Sequence, residues 1–189
     1  ISPYHLEGGA DLSWQLGTAK FGARNRDGTF NPEMFKEKAA HENVKLIEIK
    51  LSQGAKPGKG GILPVEKITS EIARIRKVEM GSSVISPPKH AEWDTAEGMC
   101  EFIAQVRELS GKPVGIKFCL GDPSFLDQIC TAFHSTGIRP DYLGIDGADL
   151  LGCDFPQGRD HFLILGLNQG PGALQELLGP SSTQQNELE

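Results

Sequence analysis

Val44-Lys45-Leu46-Ile47-Glu48-Ile49 is a short apolar, β-branched run ending at Lys50, and it opens into Leu51-Ser52-Gln53-Gly54-Ala55-Lys56-Pro57-Gly58-Lys59-Gly60-Gly61. The run reads as a strand and the glycines end it. A helical stretch follows with Ile68, Ile72 and Ile75 on one face, and the unit then recurs. Ser83-Val84-Ile85-Ser86 reads as a second strand, stopped by Pro87-Pro88. Asp94 with Glu97 three residues later reads as a capping box, opening a helix whose stripe is Met99, Phe102, Ile103, Val106 and Leu109. Val114-Gly115-Ile116-Lys117-Phe118 is the third strand. Asp122-Pro123 opens a helix that buries Phe125, Leu126, Ile129, Cys130 and Phe133 and stops at Gly137. Tyr142-Leu143-Gly144-Ile145-Asp146 is the fourth strand, and upstream Asn31-Pro32 starts a helix reaching about Glu42.

Repeated strand–helix units predict a parallel sheet with helices packed on it. Two α/β architectures fit, an open doubly wound sheet and a closed (β/α)8 TIM barrel. No GxGxxG opens a helix straight after a strand, as a dinucleotide-type sheet requires. Four strands are half of a barrel's eight. Beyond residue 149 the composition turns to Gly, Pro and Leu, with one strand-like run at Phe162-Leu163-Ile164-Leu165 and a weak helical stretch at Ala173–Leu178. Residues 150–189 are therefore expected to form a divergent, mostly irregular tail to a domain at 1–149.

The 189 residues suffice for one domain with a real core. A net charge of −6 argues against a general nucleic-acid surface. Cys100, Cys119, Cys130 and Cys153 form no CxxC pair, so no zinc or iron–sulfur cluster is expected and buried thiols fit better than disulfides. The five histidines show no metal spacing and read as surface residues. No apolar run approaches the roughly 20 residues of a membrane span, which fits a cytoplasmic protein. The abrupt start at Ile1-Ser2-Pro3-Tyr4 fits a piece of something longer.

In a barrel, chemistry sits at the C-terminal ends of strands and in the loops after them. Those positions hold Lys50 and its loop, Ser86, Lys117, and Asp146-Gly147. The loop from Gln53 to Gly61 carries four glycines, and Lys50, Lys56 and Lys59 surround it with cations. Glycines let backbone N–H groups approach an anion, and lysines neutralise carboxylate or phosphate; the alternative is a solvated surface loop. Lys117 lies inside an apolar strand. It either faces an electron-rich partner, such as the N1/O2 edge of a flavin, or turns outward to a helix carboxylate. Asp146 is a ligand contact or a helix cap.

Several of these stretches resemble FMN-dependent glutamate synthase. Trp14-Gln15-Leu16-Gly17-Thr18-Ala19-Lys20-Phe21-Gly22-Ala23-Arg24 is similar to the family's WQIGTGYFGCR, and Glu48–Pro64 to its EIKLSQGAKPGxGGxLP signature. Val84–His90 resembles VISPPxH, and Lys112–Leu120 resembles KPVGxKxC. The resemblance implies an incomplete (β/α)8 barrel of about four to five strand–helix units that binds FMN. It implies reductive amination of 2-oxoglutarate to glutamate through 2-iminoglutarate. It places Lys50 and Lys117 as catalytic residues. Gln53, Lys117, Asp146 and Gly147 fall on the cofactor, and Lys50, Gln53, Lys56 and Ser86 on the dicarboxylate. An amidotransferase and an electron donor are the implied partners in the full protein.

The departures are specific. Ala19-Lys20 stands where the family has Gly-Tyr. The family's NTGEGG stretch is missing. Asp146-Gly147-Ala148-Asp149-Leu150-Leu151-Gly152-Cys153 replaces DGAxGGTGAAP, so the phosphate-binding strands of an FMN barrel are not recognisable and the flavin site is incomplete. No CxxxxxC cluster segment is present. Two alternatives stand beside this reading: an FMN oxidoreductase for another keto or imino acid, and a non-catalytic barrel remnant acting as an interaction module.

Overall fold

The computed structural model describes residues 1–52, 60–119, 122 and 124–146, and the backbone of 162–166. In chain order these form α1 (Pro3–Glu7), β1 (Leu12–Leu16), α2 (Pro32–Ala39), β2 (Val44–Lys50), β3 (Ile62–Leu63), a 3-10 turn (Val65–Lys67), α3 (Ser70–Arg76), β4 (Val84–Ile85), α4 (Ala96–Ser110), β5 (Val114–Cys119), α5 (Ser124–Thr136), β6 (Tyr142–Asp146) and β7 (Phe162–Gly166). The main sheet runs β1-β2-β5-β6-β7. Its first four strands are parallel, and β7 lies antiparallel to β6. Four parallel strands with their connecting helices are an incomplete unit of the barrel type.

The sheet's membership differs from expectation. Ser83–Ser86 does not join it: Val84–Ile85 pairs with Ile62–Leu63 in a separate two-stranded antiparallel ribbon. Leu12–Leu16 takes a place in the parallel sheet beside β2. The expected capping box at Asp94 is also displaced. Thr95 is the N-cap, its hydroxyl accepting from Gly98 N at 3.1 Å, while Asp94 pairs with Lys89 at 2.6 Å. Ile68 closes the 3-10 turn instead of entering α3, which Thr69 caps. The helix after Asn31 ends at Ala39, short of Glu42. Asp122 does open α5, accepting from Ser124 N at 2.9 Å. The segment Ala173–Leu178 and Pro123 lie outside the described residues.

Strand alternation divides the sheet into two unlike faces. Trp14, Leu16, Ile47, Ile49, Ile116, Phe118, Leu143 and Ile145 are all buried, and they join Phe35 of α2, Met99, Phe102, Ile103 and Val106 of α4, and Ile129 of α5 in one core. Trp14 stacks on Phe35 at 5.0 Å and 18°, and Phe30 meets Phe102 edge-on at 5.3 Å. The other face carries Ser13, Gln15, Glu48, Lys50, Lys117, Tyr142 and Asp146. Among the described residues, no helix is long and apolar enough to cross a membrane.

One tyrosine ties that polar face together. The Tyr142 ring lies across β5, its hydroxyl donating to Ile47 O at 3.1 Å and resting 3.4 Å from Ser13 Oγ. It can do so because residue 115 has no side chain: a Cβ there would sit 2.3 Å from the ring. Burial pushes the Tyr142 phenol up to about 12, against the smaller lowering effect of Ser13.

Two outcomes follow. Gly115→Ala should lower the denaturation midpoint by the equivalent of about 1–3 kcal/mol, the scale of forced overpacking, and pairing it with Tyr142→Leu should recover most of that loss. An unchanged midpoint for the single variant would mean that the ring moves aside freely. Ultraviolet titration should show Tyr142 ionising near pH 12. An unfolded tyrosine releases its proton near pH 10. Between those values the unfolded state therefore binds fewer protons, and stability should fall as pH rises through the window.

Candidate functional site

The polar side chains crowd at the C-terminal end of the sheet, where register sets them side by side. Lys50 is the register partner of Lys117, and Lys117 of Gly144. Two residues further along, Cys119 faces Asp146. Lys117 Nζ lies 3.3 Å from Asp146 Oδ2, with the two side chains 8% and 14% exposed. Lys117 therefore neither turns to a helix nor reaches solvent. Gly144 lies under its stem, where a Cβ would make ordinary contact with Lys117 Cβ at 3.6 Å and a closer one, 3.3 Å, with Glu48 Oε2. Glu48 in turn accepts from Gln15 Nε2 at 2.6 Å.

Lys50 sits half-buried beside this pair. Burial, and then the neighbouring Lys117 cation, lowers its pKa, while Asp146 and Glu48 act in the opposite sense. An ammonium depressed by a second ammonium is one that an arriving anion would stabilise. The Leu51 amide donates to Lys117 O at 2.8 Å, and Ser52 Oγ accepts from Cys119 N at 2.9 Å while lying 3.1 Å from Cys119 Sγ. The start of the glycine-rich loop is thus joined to the end of β5.

Ser86 reaches the site by a different route from the one expected. It is not at the end of a sheet strand, yet its amide donates to Gly61 O at 2.8 Å and carries the ribbon to the mouth of the sheet. Gly60 lies so close that a Cβ there would meet Ser86 O at 1.6 Å, so the loop's last residues dock directly on the Ser86 backbone. The result is a pocket of about 230 Å³ lined by Lys20, Lys50, Ser52, Gly61 and Ser86 among others. Gln53, Lys56 and Gly147 lie outside the described residues.

Sequence reasoning missed three residues here. His90, expected at the surface, is 1% exposed, and Lys20 is 2% exposed. Glu92 bridges them, with Oε1 at 3.2 Å from Lys20 Nζ and Oε2 at 3.6 Å from His90 Nδ1. Burial alone would raise the Glu92 pKa, but the His90 ring and the Lys20 ammonium outweigh it and leave the group lowered. The available signal was the Tyr-to-Lys change at position 20 together with a carboxylate two residues after His90. No group of three or more His, Cys, Asp or Glu among the described residues has the arrangement to hold a metal ion, and Cys100, Cys119 and Cys130 are free thiols.

Asp146→Asn removes the carboxylate that faces a buried ammonium, and it should cost roughly 3–5 kcal/mol, the scale of breaking one side of a buried pair. Replacing both partners, Lys117→Met with Asp146→Asn, should lose less than Asp146→Asn alone. Denaturant unfolding checks both, and equal losses would remove the pair from the account.

Comparison with known proteins places this geometry in context. The conserved region in glutamate synthase matches residues 1–150. The chain is 41% identical over 149 residues to the glutamate synthase large subunit-like protein YerD of Bacillus subtilis, an alignment covering 79% of this chain and 28% of that protein. It is 41% identical over 129 residues to an archaeal-type glutamate synthase [NADPH] of Thermotoga neapolitana, covering 67% and 21% of the two chains. With the archaeal glutamate synthase [NADPH] of Methanocaldococcus jannaschii it shares 37% over 106 residues, covering 54% and 21%. The matched region thus spans between a fifth and a third of these relatives.

Proposed function

The chain belongs to the glutamate synthase family, and on that premise we propose that its polar strand ends bind 2-oxoglutarate beside FMN for reductive amination to glutamate. The observation that carries this reading is the meeting of Lys50 and Ser86 in one pocket, with the buried Lys117–Asp146 pair in register beside Lys50. A dicarboxylate needs a cation near each end. Lys50 supplies one on β2, and Lys56 supplies another from the loop. Gln53 and the Ser86 hydroxyl offer neutral hydrogen bonds to the same carboxylates.

The donor set fits the ring end of a flavin. A buried ammonium on the polar face is the group that an N1/O2 edge requires, and Asp146 keeps Lys117 aimed while it waits. Gln53, Lys117, Asp146 and Gly147 would hold FMN there. When bound, FMN supplies a hydride to the carbon that becomes Cα of glutamate. The protein's own task is to orient the 2-iminoglutarate formed from 2-oxoglutarate and ammonia, and to neutralise its two carboxylates. In the full protein an amidotransferase delivers the ammonia and a separate donor supplies the electrons. We take residues 1–149 as the unit that does this.

The test is calorimetric titration of the chain with 2-oxoglutarate, alone and with FMN present. Lys50→Met should weaken 2-oxoglutarate binding by about tenfold or more, the loss expected for one charge-assisted contact, with its melting temperature close to wild type. Equal affinities for wild type and variant, or no binding by wild type, would count against the assignment.

A further inference from the structure

Beneath Lys50 lies a charged chain that the proposed chemistry does not use. Lys20 comes from the loop after β1, and His90 and Glu92 from the loop after β4. All three are sequestered, with the Glu92 side chain 14% exposed and the other two nearly fully buried. Removing ionisable groups from water is unfavourable unless they are paired and hydrogen-bonded. Lys20 also adopts a left-handed backbone, φ +52°, which a non-glycine residue holds only when its surroundings enforce it.

What the three residues hold is a single peptide unit. His90 Nε2 lies 2.9 Å from Lys50 O. A carbonyl can only accept, so Nε2 carries the proton. On the other side of the same peptide the Leu51 amide donates to Lys117 O. The unit that ends β2 and starts the loop is therefore gripped twice, by the sheet and by an imidazole. The imidazole is itself fixed: it stacks on Trp93 at 4.6 Å and 17°. Its Nδ1 faces Glu92 Oε2; among the described residues, neither of these buried atoms has a hydrogen-bond partner. Glu92 is held by Lys20 Nζ, which also donates to Thr18 O at 3.2 Å.

We propose that Glu92 is a positioning residue: held by Lys20, it is the anion that lets His90 Nδ1 carry a proton as well as Nε2, and by drawing that ring toward itself it holds the Lys50–Leu51 peptide and so aims Lys50 into the pocket. The proposal rests on the reading of that pocket as the dicarboxylate site for its purpose, but the grip itself is measurable without any ligand.

The experiment is residue-resolved amide exchange by NMR on the full chain, comparing wild type, Glu92→Ala and Glu92→Asp. Loss of the carboxylate should speed exchange of the Leu51 amide by about tenfold, the scale of one weakened hydrogen bond. The Ile47 amide, which donates to Pro113 O at 3.0 Å in the same ladder, should keep its protection, and aspartate should restore part of the Leu51 effect. Equal acceleration at Ile47 and Leu51 would mean general destabilisation and would overturn the proposal, as would an unchanged Leu51. If Glu92→Ala does not fold, the wild-type ring decides: nitrogen shifts must place protons on both His90 Nε2 and His90 Nδ1, and a bare nitrogen at either position overturns it. A wild-type chain with this protection that does not bind 2-oxoglutarate supports the grip and counts against the pocket reading instead.

Discussion

Everything at the working end of this sheet depends on the Lys117–Asp146 ion pair. A lysine in the middle of a parallel strand has two faces to choose from, and the helix-covered face here is closed by Phe118, Ile116 and their packing partners. The ammonium must therefore lie on the opposite face, and at 8% side-chain exposure it cannot remain there without an anion. Asp146, ending the next strand, provides one. Gly115 leaves room for Tyr142 on the same face. One glycine and one carboxylate thus give an ordinary α/β sheet a charged floor.

The loops then build upward from that floor. Leu51 and Ser52 bond to the end of β5, and Gly60 and Gly61 at the loop's end dock on Ser86. The Lys20–Glu92–His90 chain braces the same region from below. The apolar face builds the core and the polar face gathers the charged side chains, a division that strand alternation makes available.

Much of this organisation was legible in the residues, and the failures have physical causes. Strands β2, β5 and β6 were readable because buried parallel strands are near-continuous apolar runs. Val84-Ile85 carried the same local signal but paired with Ile62-Leu63, since a two-residue run cannot specify its partner. Leu12–Leu16 alternates polar and apolar residues as a strand with one polar face should, yet it was read only as part of a family motif. Lys117 was identifiable because a charge inside an apolar strand demands an explanation. Its partner was not, because register across β5 and β6 is a tertiary fact. His90 was misjudged for the same reason: spacing along the chain gave no hint of Lys50 O or Lys20. Thr95 is the cap because the helix starts at Ala96, which leaves Asp94 one residue outside it, paired with Lys89.

The central claim is that the cations at the strand ends form one anion-recognising surface. Its most direct measurement is a map of chemical shifts on labelled wild-type chain as 2-oxoglutarate is added. The account predicts saturable changes at the Lys50 and Lys117 ammonium groups and at the Ser86 amide, with Lys45, exposed on the lower half of β2, unmoved. Saturable shifts at Lys45 with Lys50, Lys117 and Ser86 unchanged would contradict it.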